Sequence, residues 1–126
     1  MYNETVMDHF EHPRNIGEME DPTVVVEVGS GECGDRTKLF LKIEDDVIVD
    51  VSFKTLGCAA AIASSSMATE MIKEKTLKEA WDLTNRDVVE ALGGLPEQKI
   101  HCSVLAEDAI REAINIYRKG QGFEPW

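Results

Sequence analysis

From Thr23 to Lys54 the chain alternates apolar and polar side chains, and after Gly57 that alternation gives way to helical spacing. Strands first and helices second is the pattern of an α+β domain, in which helices pack on one face of an antiparallel sheet. Three runs carry the alternation. Val24, Val26 and Val28 alternate with Thr23, Val25 and Glu27; Leu39, Leu41 and Ile43 alternate with Lys38 and Lys42; and Val47, Val49, Val51 and Phe53 alternate with Asp50, Ser52 and Lys54. The first-named set of each run is expected on the buried face. Only Glu44-Asp45-Asp46 separates the second run from the third, which predicts an antiparallel hairpin. The fold class read here is α+β, a small three-stranded antiparallel sheet with helices on one face, as a single domain over residues 1–126.

The flanking segments fit this frame. Tyr2 to Glu11 places Val6, Met7 and Phe10 near one face of a short helix, and Pro13 stops it. His9 and His12 read as surface or turn residues. Cys58 to Ile72 is rich in Ala and Ser, as a helix packed closely into the middle of a protein would be. Thr76 to Leu92 reads as two short helices, with Thr84 or Asn85 as the cap between them. Gly93, Gly94 and Pro96 break the chain, and a last helix is predicted from about Cys102 to Lys119. Its apolar side is Ala106, Ile110, Ala113, Ile114 and Tyr117. The tail, Gly120 to Trp126, reads either as loose or as docked on a partner.

Composition narrows the function. The 126 residues carry a net charge of −11, which repels phosphates and anionic lipid headgroups, and no run of Lys and Arg forms a basic patch. Neither nucleic acid nor a membrane is expected as partner. The N-terminus lacks the pattern of a signal peptide, so the expected location is the cytoplasm, where thiols stay reduced.

The three cysteines then become informative, since an odd number cannot all pair with one another. Each falls at a junction. Cys33 lies among glycines between two strands, Cys58 follows Gly57 and opens the central helix, and Cys102 follows His101 and opens the last one. A helix start carries unpaired N–H groups and a partial positive charge, which favours thiolate, the form that binds metal and attacks electrophiles. Asp35 and His101 stand close in sequence to two of the cysteines, and sulfur with imidazole or carboxylate completes a four-coordinate site around zinc or iron. A rival reading, a Cys102–His101 nucleophile pair, is poorly served by adjacent residues, which point in different directions.

The segments Gly31-Glu32-Cys33-Gly34-Asp35, Lys54-Thr55-Leu56-Gly57-Cys58-Ala59-Ala60-Ala61-Ile62-Ala63-Ser64-Ser65-Ser66 and Leu95-Pro96-Glu97-Gln98-Lys99-Ile100-His101-Cys102-Ser103-Val104-Leu105-Ala106-Glu107-Asp108-Ala109-Ile110 resemble the IscU/NifU-type iron–sulfur cluster scaffolds. The opening Asp8-His9-Phe10-Glu11-His12-Pro13-Arg14-Asn15-Ile16-Gly17 is similar to theirs as well. The resemblance implies an assembly scaffold and carrier without classical turnover. On it a cluster, 2Fe–2S, is built from iron and desulfurase-derived sulfur and passed to apo-protein acceptors. It implies Cys33, Cys58 and Cys102 as ligands, Asp35 and His101 as candidates for a fourth, and zinc in the cluster-free form. It further implies Cys102 as the persulfide acceptor from a cysteine desulfurase, supported by Lys99, with iron and electron donor proteins as further partners. One departure concerns the loop Leu95-Pro96-Glu97-Gln98-Lys99. Many bacterial members carry Leu-Pro-Pro-Val-Lys there, where a dedicated heat-shock chaperone binds, and the polar replacements count against that partnership. The alternative function is a zinc-containing sulfur-transfer protein.

Overall fold

The computed structural model describes residues 2–29 and 35–126, with the side chains of all of these but His101 and Cys102. The elements run α1 (Glu4–Glu11), β1 (Val24–Gly29), β2 (Arg36–Glu44), β3 (Val47–Leu56), α2 (Ala59–Ile72), α3 (Leu77–Trp81), α4 (Asn85–Ala91), a 3₁₀ helix (Glu97–Ser103) and α5 (Val104–Gly120). The strands form one antiparallel sheet in the order β1-β2-β3, and α2 and α5 pack against it. This is the α+β arrangement expected from the change of period.

The sheet departs from simple alternation at one place. Lys42 pairs with Asp50, but Ile43 pairs with Ile48, so β3 carries an extra residue opposite that step. The bulge shifts the phase of the first residues of β3. Ile48 is fully buried while Val47 and Val49 are only half-buried, which corrects their assignment to the inner face. Beyond the bulge, Val51 and Phe53 point inward as predicted. The hairpin before it turns through Asp45 and Asp46, both at positive φ (52° and 60°), the combination a two-residue type I′ turn requires. On the far edge of β3, Phe53 accepts a hydrogen bond from the Gly17 N–H (2.8 Å) and donates one to the Asn15 carbonyl (2.9 Å), so the segment after α1 covers that edge.

Central helix α2 is buried on most sides through Ala60, Ala61, Ala63, Ser64, Ser65, Ser66, Ala68, Thr69 and Ile72. Small side chains let it approach the sheet, α1 and α5 together. α3 and α4 each begin with a reciprocal capping box, Thr76 with Glu79 and Thr84 with Asp87, so Thr84 is the cap. Gly93 (φ 82°) and Gly94 (φ 104°) then end α4 in a conformation other residues rarely adopt. α5 presents Leu105, Ala106, Ala109, Ile110, Ala113 and Ile114 to the core; Tyr117 is half-buried. The tail does not extend away. Trp126 packs edge-on against Trp81 (ring centroids 5.6 Å, planes at 71°), lies under the Arg118 guanidinium at 4.2 Å, and donates its backbone N–H to Asn115 Oδ1 at 2.8 Å. It docks on its own chain.

α1 buries Val6 and His9, not Phe10, which is 37% exposed. His9 is therefore no surface residue. Its Nδ1 lies 2.8 Å from Ser66 Oγ, which also accepts the Arg14 backbone N–H at 2.9 Å. Burial, and then the nearby Arg14 charge, push the His9 pKa below its ordinary 6.5, with Asp8 and Glu70 opposing. A folded pKa below the unfolded one means that the unfolded chain binds the proton more readily. The stability His9 protects is then complete above about pH 6.5 and is lost as pH falls below it. Urea midpoints are expected to drop between about pH 7.5 and pH 5.5, and His9→Gln to flatten that dependence. Equal pH slopes in the two proteins would sink this account.

Candidate metal centre

The β2–β3 ladder ends at the pair Arg36 and Leu56, so the next residues, Asp35 and Gly57, face each other where the strands run out. Asp35 is 5% exposed. Its carboxylate occupies the space a side chain on residue 57 would need: a Cβ there would stand 2.7 Å from both Cγ and Oδ1 of Asp35. Gly57 thus permits a close approach of carboxylate to backbone. The next residue, Cys58, is the N-cap of α2, in extended backbone (φ −74°, ψ 169°), and its carbonyl accepts the Ile62 N–H at 3.1 Å. Its half-buried thiol points to Asp35 Oδ2 at 3.9 Å, the outer range for a sulfur donor.

A third element closes on this pair. Ala60 and Ala61 pack with Cys58, Tyr2 and Leu95, which brings the chain before the 3₁₀ helix against the start of α2. The 3₁₀ helix itself contacts α2, α4 and α5. It contains Lys99, half-buried, with its N–H on the Pro96 carbonyl at 2.8 Å, and the backbone of His101 and Cys102. Cys102 therefore does not open α5. That helix starts at Val104 with Ser103 as its N-cap. The fully buried Ser103 hydroxyl bonds back to the Ile100 carbonyl at 2.7 Å and also meets Asn85 Oδ1, which holds the preceding turn in the tighter 3₁₀ form. Of the expected donors, Asp35 and Cys58 are brought together. Cys33 lies outside the described residues, between Gly29 and Asp35, and the side chains of His101 and Cys102 lie outside them too. Among the described residues no three His, Cys, Asp or Glu side chains gather closely enough to hold a metal.

The chemistry of the described pair suits a metal that accepts both soft and hard donors: a thiol, which binds as thiolate, and an oxygen ligand beside it. Sequence reading did not notice Gly57 as the residue that admits the Asp35 carboxylate, or Ser103 as the true cap of α5. A glycine directly before Cys58 was the available sign of the first.

A profile of the NifU-like N terminal domain matches residues 1–123. The chain belongs to that family. Iron-sulfur cluster assembly scaffold protein IscU 1 of Archaeoglobus fulgidus is 54% identical over 122 residues, covering 97% of this chain and 80% of its own. The scaffold protein IscU of Azotobacter vinelandii is 49% identical over 125 residues, covering 96% and 97%. Among solved structures, a candidate cluster assembly scaffold for the SUF system from Fervidobacterium islandicum matches with a TM-score of 0.75 at 26% identity, covering 90% of this chain and 96% of that one. The family membership agrees with the resemblance drawn from the cysteine motifs. No helix among the described residues is long and apolar enough to cross a membrane.

Proposed function

We propose that this chain is a scaffold on which an iron–sulfur cluster, 2Fe–2S, is assembled and from which it is passed to apo-protein acceptors. The observation that carries the reading is the juxtaposition of the buried Asp35 carboxylate and the Cys58 thiol at the strand ends, in a chain with full-length relatives named as scaffolds. The cluster is cargo. Cys33, Cys58 and Cys102 supply thiolate ligands, and Asp35 or His101 supplies an exchangeable fourth. A carboxylate or imidazole exchanges more readily than a third-row donor, so the site can both hold the cargo and give it up. The protein works as a carrier without classical turnover and lies in the cytoplasm; zinc occupies the ligands when no cluster is present.

Sulfur enters through Cys102. Its thiolate attacks the terminal sulfur of a persulfide on a cysteine desulfurase; the enzyme's S–S bond breaks, a new one forms on Cys102, and the enzyme's cysteine leaves as thiolate. Lys99, three residues away, supports the anionic form. Conversion of that sulfur to sulfide takes two electrons, supplied by an electron donor protein, and iron comes from a donor protein. The polar loop Leu95-Pro96-Glu97-Gln98-Lys99 does not favour a chaperone that reads an apolar Pro-Val pair there.

The test is an ultraviolet–visible spectrum after anaerobic incubation with ferrous iron, cysteine and a catalytic amount of desulfurase. Cysteine-dependent bands in the visible are expected in the native protein and absent from the Cys33→Ala, Cys58→Ala, Cys102→Ala triple variant. A colourless native protein that retains tightly bound zinc would replace this function with zinc-dependent sulfur transfer.

A further inference from the structure

Directly beneath Asp35 and Cys58, three hydroxyl groups link the elements that carry them. Thr37 and Thr55 are partners across the β2–β3 ladder, two steps inward from Asp35 and Gly57. Their hydroxyls lie 3.0 Å apart, and the Thr55 hydroxyl donates to Ser65 Oγ on α2 at 3.1 Å. Since Thr55 has one proton and gives it to Ser65, Thr37 is the donor in the first bond, and the chain runs Thr37 to Thr55 to Ser65. Thr37 and Ser65 are 1% and 2% exposed, with Thr55 half-buried between them. Ser65 lies two helical turns beyond Cys58 and so on the same side of α2.

We propose that Thr37, Thr55 and Ser65 are positioning residues that set the separation of Asp35 from Cys58. The inference rests on the reading of those two groups as metal-facing. Asp35 is carried by the start of β2, while Cys58 is carried by the end of β3 and the start of α2. No apolar contact of equal area fixes a register as a directed chain of hydrogen bonds does, because packing tolerates small slides and a hydrogen bond loses strength steeply with angle and distance. Groups hydrogen-bonded to a metal ligand typically change metal affinity about 10- to 100-fold when removed; these hydroxyls act one step further back, through the strands and α2, so the lower end of that range is expected. The cavity beside Thr37 and Ser65 holds about 10 Å³, room for one water at most.

Zn²⁺ affinity, measured by competition with a chromophoric chelator, tests this without cluster assembly. Thr55→Val keeps the shape and removes both bonds; its Zn²⁺ affinity is expected to fall about tenfold or more, at a temperature where circular dichroism shows the protein folded. Thr55→Ser keeps the hydroxyl and is expected to recover most of the loss. Should Thr55→Val fail to fold, Ser65→Ala, a favourable exchange in a helix, is expected to weaken Zn²⁺ binding in the same direction. Native-like Zn²⁺ binding by Thr55→Val, or by Ser65→Ala where it stands in, overturns the proposal. So does equal weakening by Thr55→Val and Thr55→Ser, which would assign the effect to any disturbance of packing at this position and not to the hydroxyl. A native protein that builds a cluster alongside an unaffected Thr55→Val sinks this inference alone. A native protein that binds no Zn²⁺ removes the metal-facing reading and the inference with it.

Discussion

Asp35→Ala is expected to lengthen the lifetime of a bound cluster by about tenfold or more, the scale on which groups around a metal site tune it. The carboxylate is almost fully buried and stands 3.9 Å from the Cys58 sulfur. When thiolates hold an iron–sulfur cargo the site is already anionic. A further negative charge about 4 Å away opposes it by roughly 4 kcal/mol at an effective dielectric constant near 20. In the proposed scaffold its oxygen would also be the donor that iron exchanges most easily. Removing it takes away both the repulsion and the exit step. The decay of visible absorbance under a chelator measures the lifetime, and a shorter lifetime in the variant would refute the role given to Asp35.

Gly57→Ala is expected to reproduce that effect without touching Asp35 itself. The new Cβ would stand 2.7 Å from the carboxylate carbon and one oxygen, closer than real contacts allow, so the Asp35 side chain must swing away. Gly57 is not among the positive-φ residues, so alanine fits the backbone there, and the cost of the substitution falls on the displaced carboxylate. Because the two substitutions act through one group, Asp35→Ala with Gly57→Ala is expected to match Asp35→Ala alone, a coupling that a double-mutant cycle reads directly. Additive effects on cluster lifetime would show that Gly57 acts on something other than the carboxylate.

The parts of the fold that were legible beforehand are those governed by local periodicity. Alternation of apolar residues placed three strands, and the spacing of Ala106, Ile110, Ala113 and Ile114 placed α5, because burial on one face leaves its imprint on every second or every third to fourth residue. The misreadings have a common cause: in each, a contact made through space overrode the local pattern. The bulge opposite Lys42 and Ile43 breaks the period of β3, which is why Ile48 replaced Val49 inside. His9 shares the face of Val6 on α1, and what buries its polar ring is Ser66, fifty-seven positions away. Ser103, bonded to Asn85, delays the start of α5 and leaves Cys102 in the 3₁₀ helix. For the site, the places of Asp35 and Cys58 were legible because each stands at the end of an element, just before β2 and just before α2. The closeness of Asp35 to residue 57 was not, since it depends on the paired register of β2 and β3.

The two indoles of the molecule form a single optical unit. Trp81 and Trp126 are the chain's only tryptophans, they touch edge to face, and Arg118 and Lys78 both lie over the Trp126 ring. Intrinsic fluorescence of this protein is thus sensitive to the seating of the last residues on α3 and α5. An observer exciting at the indole band reads whether the C-terminus is seated, and needs a different colour to see what happens at Cys58.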